Sequence, residues 1–126
     1  MEKKKILIVD DEEDFIKLVK LNLEATGKYE VRTENKGLSA LAVTKEFKPD
    51  LIFMDIMMPD MGGDQVVEQM KKDVDIKDIP VVFLTAVADK EKVVSWGQYY
   101  LPGYPIVAKP ITAKEVIDAI EANIRK

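Results

Sequence analysis

Five polar residues stand at the ends of short apolar runs, and together their side chains could do chemistry. They are three carboxylates, a hydroxyl and an ammonium group, namely Asp10, Asp11, Asp55, Thr85 and Lys109. Carboxylates a few ångströms apart repel one another, by about 3 kcal/mol per pair at about 5 Å and an effective dielectric near 20. Such a cluster either raises a carboxyl pKa or takes up a cation.

The cation that this set of side chains favours is magnesium. The chain has no cysteine and no histidine, which excludes thiolate sites, imidazole-bound zinc and a histidine general base. Oxygen ligands favour Mg²⁺, Mn²⁺ or Ca²⁺, and an open site suits Mg²⁺ because that ion keeps several waters. A cation with Lys109 and Thr85 would neutralise a phosphoryl group in transfer. Asp55, central among these groups, is the best candidate for a nucleophile that forms an acyl phosphate.

These side chains meet only if the apolar runs are parallel strands of one sheet. The runs begin at Ile6, Tyr29, Leu51, Val81 and Ile106, and amphipathic segments separate them. Continuous apolar runs of this length are typical of strands that are covered on both faces. The order βαβαβαβαβα predicts an α/β fold, a (βα)5 doubly wound five-stranded parallel sheet in the order 2-1-3-4-5. Ligands bind at the carboxyl ends of the strands in such sheets.

Apolar residues at helical spacing predict four helices, and a weaker pattern predicts another over residues 88–96. In the first helix Gly27 is the predicted stop, and Thr112 with Glu115 predicts a capping box before the last. In chain order, the apolar residues that mark the four helices are Ile16, Val19 and Leu23; Leu38, Leu41 and Ala42; Val66, Val67 and Met70; and Ile117, Ile120 and Ile124.

The composition is that of one globular domain, which we expect to span residues 1–126. Hydrophobic residues make up 47% and charged residues 33% of the 126. With 19 basic and 23 acidic residues the net charge is −4, which argues against direct binding of nucleic acid. No apolar run approaches the roughly 18 residues of a membrane span or forms the core of a secretory signal, so we expect a cytoplasmic protein without membrane contact.

Each polar residue taken alone has an ordinary structural explanation. Asp10 or Asp11 could cap the first helix, Asp55 could belong to a turn and Thr85 could cap a helix. A lone lysine is usually a solvated surface charge, and Gly62 with Gly63 would shape a turn. Chance placement at four separate strand ends nevertheless explains the whole set poorly.

Four motifs together resemble the receiver domain of two-component response regulators, which is CheY-like. They are ILIVDDE at 6–12, DIMMPDMGG at 55–63, LTA at 84–86 and the dipeptide Lys109-Pro110. They follow the family's order over essentially the whole chain. The resemblance implies a flavodoxin/CheY-like fold and a phosphoacceptor signalling domain, which is not an enzyme and catalyses only its own phosphorylation and dephosphorylation.

The resemblance also implies what the acidic residues do. Asp55 would accept a phosphoryl group from a phosphohistidine on a sensor histidine kinase or phosphotransfer protein. Asp10 and Asp11 would bind Mg²⁺ with Asp55 and the backbone carbonyl of Met57, and Mn²⁺ could substitute. The downstream effector stays unidentified, and homodimerisation on phosphorylation stays open.

Further roles implied by the resemblance fall on the last two strands. Lys109 would bridge to one phosphoryl oxygen, and Thr85 would move to hydrogen-bond another. Ala86 is small and would leave room for the phosphoryl group. The bond before Pro110 is commonly cis in this family.

The chain departs from the family pattern before the lysine. Family members usually carry Tyr or Phe three residues before it as a switch residue, and here Ile106 stands there, with Tyr104 nearby. The segment 96–105 is long and aromatic, and it is either an irregular loop packed on the body or a partner or dimer surface.

Two positions influence the attacking water in this family, and here they are Met57 and Val87. Neither side chain holds or polarises a water molecule, so we expect slow self-dephosphorylation. Two other functions compete with this interpretation. A haloacid-dehalogenase-type hydrolase needs a second Asp at position 57, and a phosphorylation-independent interaction module tends to lose one of the key residues.

Overall fold

The fold is organised around one parallel sheet. The computed structural model describes residues 2–86 and 103–124. Its five strands are hydrogen-bonded in the order β2-β1-β3-β4-β5, which confirms the predicted fold class and strand order. The strands are β1 (Lys4–Val9), β2 (Tyr29–Glu34), β3 (Leu51–Asp55), β4 (Val81–Ala86) and β5 (Ile106–Lys109).

Burial of the strands follows from their sequences. All five residues of β3 are buried, whereas β2 alternates at its start and every residue of β5 is only half-buried. Along β1 the side chains alternate between two apolar clusters, Leu7 in one and Ile6 with Ile8 in the other. The most apolar strands therefore lie in the centre, because only central strands are covered on both faces.

Four helices in the described part of the chain cover the sheet. They are α1 (Glu13–Ala25), α2 (Gly37–Phe47), α3 (Gly63–Met70) and α4 (Ala113–Asn123). Buried residues of α2 and α3 belong to the cluster of Leu7, and those of α1 and α4 belong to the cluster of Ile6. The weaker helix predicted over 88–96 lies outside the described residues. None of the described helices is long and apolar enough to cross a membrane.

Two of the predicted helices bury the apolar residues that their spacing indicated, and the last helix buries one of its three marker residues, Ile120, together with Val116. In α1 the buried residues are Ile16, Val19 and Leu23, and Gly27 lies beyond its end with a positive φ of 76°. All three marker residues of α3 are buried. The capping box of α4 is present, since the Thr112 side chain accepts from the Glu115 N–H and the Glu115 carboxylate accepts from the Thr112 N–H.

The apolar face predicted for α2 is wrong, because the helix is rotated about its axis and buries a different set of residues. Leu38 is 68% exposed, whereas the buried residues include Gly37 and Ala40. A Cβ at Gly37 would overlap the backbone carbonyl of Met61. The close approach of α2 to the loop after β3 therefore needs the smallest residue, and it turns Leu38 to solvent.

Candidate functional site

The acidic residues meet at the carboxyl ends of β1 and β3. Val9 pairs with Met54 across the two strands, so Asp10 and Asp55, each one residue further on, lie side by side. One carboxylate oxygen from each of Asp10, Asp11 and Asp55 lies within 4.8 Å of the others. Asp10 is fully buried and Asp55 is 4% exposed, whereas Asp11 is exposed. Two carboxylates of the cluster are thus buried, and the third, that of Asp11, is open to solvent.

Backbone N–H groups orient the two buried carboxylates. The Glu12 N–H donates to Asp10 Oδ1 over 2.9 Å, and the Met57 N–H donates to Asp55 Oδ1 over 3.2 Å. Both bonds span two residues, the local turn that aspartate favours. Each carboxylate is therefore fixed through one oxygen by its own loop.

Lys109 reaches the cluster from the end of β5. Its Nζ donates to Asp10 Oδ2 and to Glu12 Oε1, both over 2.7 Å, and lies 4.0 Å from Asp55 Oδ2. The lysine side chain is 7% exposed, and its Nζ lies 5.0 Å from the centre of the Phe15 ring. The Lys109-Pro110 peptide bond is cis.

The surroundings of the site shift the pKa values of Asp55 and Lys109. Burial, and next the charge of Asp10, raise its pKa from 3.8 to about 7, against the opposing effect of Lys109. Burial lowers the pKa of Lys109, but its hydrogen bonds to Asp10 and Glu12 outweigh that effect and raise the pKa overall. The site thus holds a firmly charged lysine beside a carboxyl group for which ionisation is costly.

The structure brings Thr85 to the same edge. It is buried in β4, one residue after Leu84, which pairs with Asp55. Ala86 pairs with Lys109 on β5, so the small residue lies between the other strand ends. Val87 falls outside the described residues.

Met57 follows the acidic strand end, and its side chain is 75% exposed. The placement of its backbone carbonyl toward a cation stays a prediction.

Gly63 does more than shape a turn, because a Cβ there would overlap the backbone carbonyl of Asp55 and crowd Met54. The start of α3 can therefore pack directly against the end of β3.

Sequence reasoning did not predict the contacts that three residues make at this edge. Glu12 shares Lys109 with Asp10, and Phe15 lies beneath the same ammonium group. Asp60 accepts hydrogen bonds from the N–H groups of Gly37 and Leu38, over 3.2 and 3.0 Å, and so satisfies the start of α2. The acidic run after Asp10 could have indicated Glu12, but no local pattern indicates the other two.

The aromatic residue nearest the expected switch position packs away from the acidic cluster. The Tyr104 ring meets Phe83 edge to face, with ring centres 5.3 Å apart, and Lys71 Nζ lies 5.5 Å from its centre. Ile106 pairs with Phe83 in the sheet. The part of segment 96–105 before residue 103 lies outside the described residues.

The residues present fit a hard divalent cation. Among the described residues the clustered ligands are three carboxylates, which suit Mg²⁺ or Mn²⁺. Burial, and next the charge of Asp10, raise the pKa of Asp55 to about 7, and a cation beside that carboxyl group would favour its ionised form.

Comparison with known proteins gives matches over nearly the whole chain. The family model described as response regulator receiver domain matches residues 6–121. The polar-differentiation response regulator DivK of Brucella anthropi is 37% identical over 124 residues, which is 96% of each chain. The solved structure of chemotaxis protein CheY4 of Vibrio cholerae superposes with a TM-score of 0.81 at 28% identity, and it covers 96% of this chain and 98% of that one. A CheY-like receiver domain protein of Methanospirillum hungatei gives 0.79 at 26%, over 96% of this chain and 93% of its own.

Proposed function

Because this chain belongs to the family of response regulator receiver domains, we propose that it is a phosphorylation switch whose phosphoacceptor is Asp55. The donor is a phosphohistidine on a sensor histidine kinase or phosphotransfer protein. The observation that carries the proposal is the cluster of Asp10, Asp11 and Asp55, with carboxylate oxygens within 4.8 Å of one another and the Lys109 ammonium 4.0 Å from Asp55.

The transfer step uses Asp55 as a nucleophile. A carboxylate oxygen forms a bond to phosphorus while the phosphorus–nitrogen bond of the phosphohistidine breaks, and the electron pair of that bond stays on the imidazole nitrogen. The product is an acyl phosphate on Asp55. Attack by water later releases inorganic phosphate and regenerates the carboxylate, so the chain returns to its starting state.

Asp10, Asp11, Asp55 and the backbone carbonyl of Met57 are the groups that would hold Mg²⁺. When bound, the ion supplies positive charge that offsets the carboxylates and the transferring phosphoryl group. The chain itself keeps Asp10 in place through the Glu12 N–H, and Asp55 through the Met57 N–H. Preorganised groups of this kind need no rearrangement at the moment of reaction.

Lys109 and Thr85 act on the phosphoryl group. The lysine offers three N–H donors, and its buried ammonium lies close enough to Asp55 to contact an oxygen of a group attached there. Thr85, buried at the end of the neighbouring strand, donates its hydroxyl to another oxygen. New hydrogen bonds to a doubly charged group bias the strand ends toward a second arrangement.

Turnover of a separate substrate as a hydrolase is disfavoured. A hydrolase of the haloacid-dehalogenase type would need an acid/base group at position 57, and the apolar Met57 side chain is 75% exposed there. Slow loss of the phosphoryl group, rather than rapid hydrolysis, suits this residue.

Labelling with acetyl phosphate and Mg²⁺, read by intact mass, tests the proposal. The wild type should gain one phosphoryl group, and Asp55→Asn should gain none. Asp60→Asn is the matched control, because that carboxylate lies in the same loop but is held by the start of α2; it should be labelled. An unlabelled wild type would instead favour a phosphorylation-independent interaction module, and equal labelling of Asp55→Asn would place the phosphoryl group on another residue.

A further inference from the structure

Glu12 lies at the start of a helix, and its side chain contacts a residue at the end of a strand. It precedes α1, yet its side chain makes no hydrogen bond that caps the helix. Instead its carboxylate accepts from Lys109 Nζ over 2.7 Å, across 97 positions of sequence. A carboxylate near a helix N-terminus is stabilised by the helix dipole, but the close contact of Glu12 is with Lys109.

The contact is open to solvent on the Glu12 side. The Glu12 side chain is 57% exposed, whereas Asp10, the other partner of Lys109, is fully buried. Exposed ion pairs contribute little to stability, with a median of about 0 to 1 kcal/mol. Glu12 therefore matters more for where the ammonium group is held than for the stability of the fold.

The ammonium group is held away from the residue on which it would act. Its two acceptors among the described residues are Asp10 and Glu12, at 2.7 Å each, and Asp55 Oδ2 lies beyond hydrogen-bond distance at 4.0 Å. The Phe15 ring, in the first turn of α1, is a further contact, and its centre lies 5.0 Å from Nζ. Two contacts from the start of α1 thus oppose movement of Lys109 toward Asp55.

We propose that Glu12 is a positioning residue that competes with the phosphoryl group for Lys109. The inference rests on the proposed phosphorylation of Asp55. In the unmodified protein Glu12 holds the ammonium group at the side of the site. On phosphorylation a phosphoryl oxygen takes over that hydrogen bond, and Glu12 is released toward solvent.

The competition slows phosphorylation. Before transfer, Lys109 must give up the Glu12 contact, and the carboxylate repels the incoming phosphoryl group. Removal of the charge should therefore accelerate labelling.

Glu12→Gln tests this with Glu13→Gln as the matched control. Glu13 is the next residue and is also exposed, but its carboxylate accepts from Asn35 Nδ2 over 2.6 Å. With acetyl phosphate and Mg²⁺, Glu12→Gln should be labelled about three- to tenfold faster than wild type, the size of effect that one partly screened charge gives. Glu13→Gln should match wild type, and neither change should alter the melting temperature appreciably.

A second measurement needs neither metal nor phosphoryl donor. In the Mg²⁺-free protein, the side-chain ammonium resonance of Lys109 in nitrogen-15 NMR should shift in Glu12→Gln and stay in place in Glu13→Gln. Equal or slower labelling of Glu12→Gln beside a normally labelled wild type would overturn the competition while leaving the phosphorylation of Asp55 intact. An unlabelled wild type would overturn the proposed function itself, and an unchanged ammonium resonance would remove the contact on which the inference stands.

Discussion

Replacing Asp55 with Asn should stabilise the Mg²⁺-free protein, and increasingly so as the pH rises. Folding raises the pKa of Asp55 from 3.8 to about 7, so the folded state binds more protons than the unfolded chain between these values. The stability that this proton contributes is fully present below the unfolded pKa and is lost as the pH rises through the folded pKa. Three units at about 1.4 kcal/mol each give about 4 kcal/mol as the upper limit, of which about 2 to 3 kcal/mol falls between about pH 5 and pH 8.

Urea unfolding of the wild type and of Asp55→Asn at about pH 5 and pH 8 measures this difference. The advantage of the Asn variant should grow by about 2 to 3 kcal/mol over that interval, because Asn has no proton to lose. Asp75→Asn, which removes an exposed carboxylate from the segment before β4, serves as the control and should show no such growth. Mg²⁺ should reduce the effect, since a cation favours the ionised carboxylate. An advantage of the Asn variant that is the same at both pH values would refute the reasoning.

Three further changes test other contacts of the site. Lys109→Met should lower the free energy of unfolding at neutral pH by about 3 kcal/mol, because the buried Asp10 loses its cation; urea titration measures it, and Mg²⁺ should restore part of the loss. Gly63→Ala should cost about 2 kcal/mol, because the new Cβ would overlap the carbonyl of Asp55, and an unchanged melting temperature would contradict that packing. Met57→Asn should shorten the lifetime of the phosphorylated protein, followed by mass after acetyl phosphate is removed, since the amide can hold a water molecule where the thioether cannot; an unchanged half-life would count against the expected role of this position.

Local patterns in the sequence were enough to predict the architecture. The apolar runs ending at Val9 and Met54 are continuous, and both strands are central, whereas the alternating run from Tyr29 forms an edge. The capping box of Thr112 and Glu115 involves residues three apart and could be read directly. Such features depend on neighbours along the chain, so sequence alone predicts them.

The tertiary structure decided which face of α2 is buried. Apolar spacing favoured a face that contained Leu38, but the close approach of Gly37 to the Met61 carbonyl and the two hydrogen bonds to Asp60 fix another phase. These contacts join segments more than 20 residues apart. A pattern within one helix carries no information about them.

What the sequence by itself determined is that Asp10, Asp55 and Lys109 come to one edge of the sheet, because parallel strands place their carboxyl ends together. Only the tertiary structure decided how Lys109 is shared between Asp10 and Glu12, and that burial raises the pKa of Asp55 to about 7. Hydrogen bonds and desolvation depend on distances of a few ångströms between groups that are remote in sequence. Those distances are set by how α1 packs on the sheet and by where β5 lies in it.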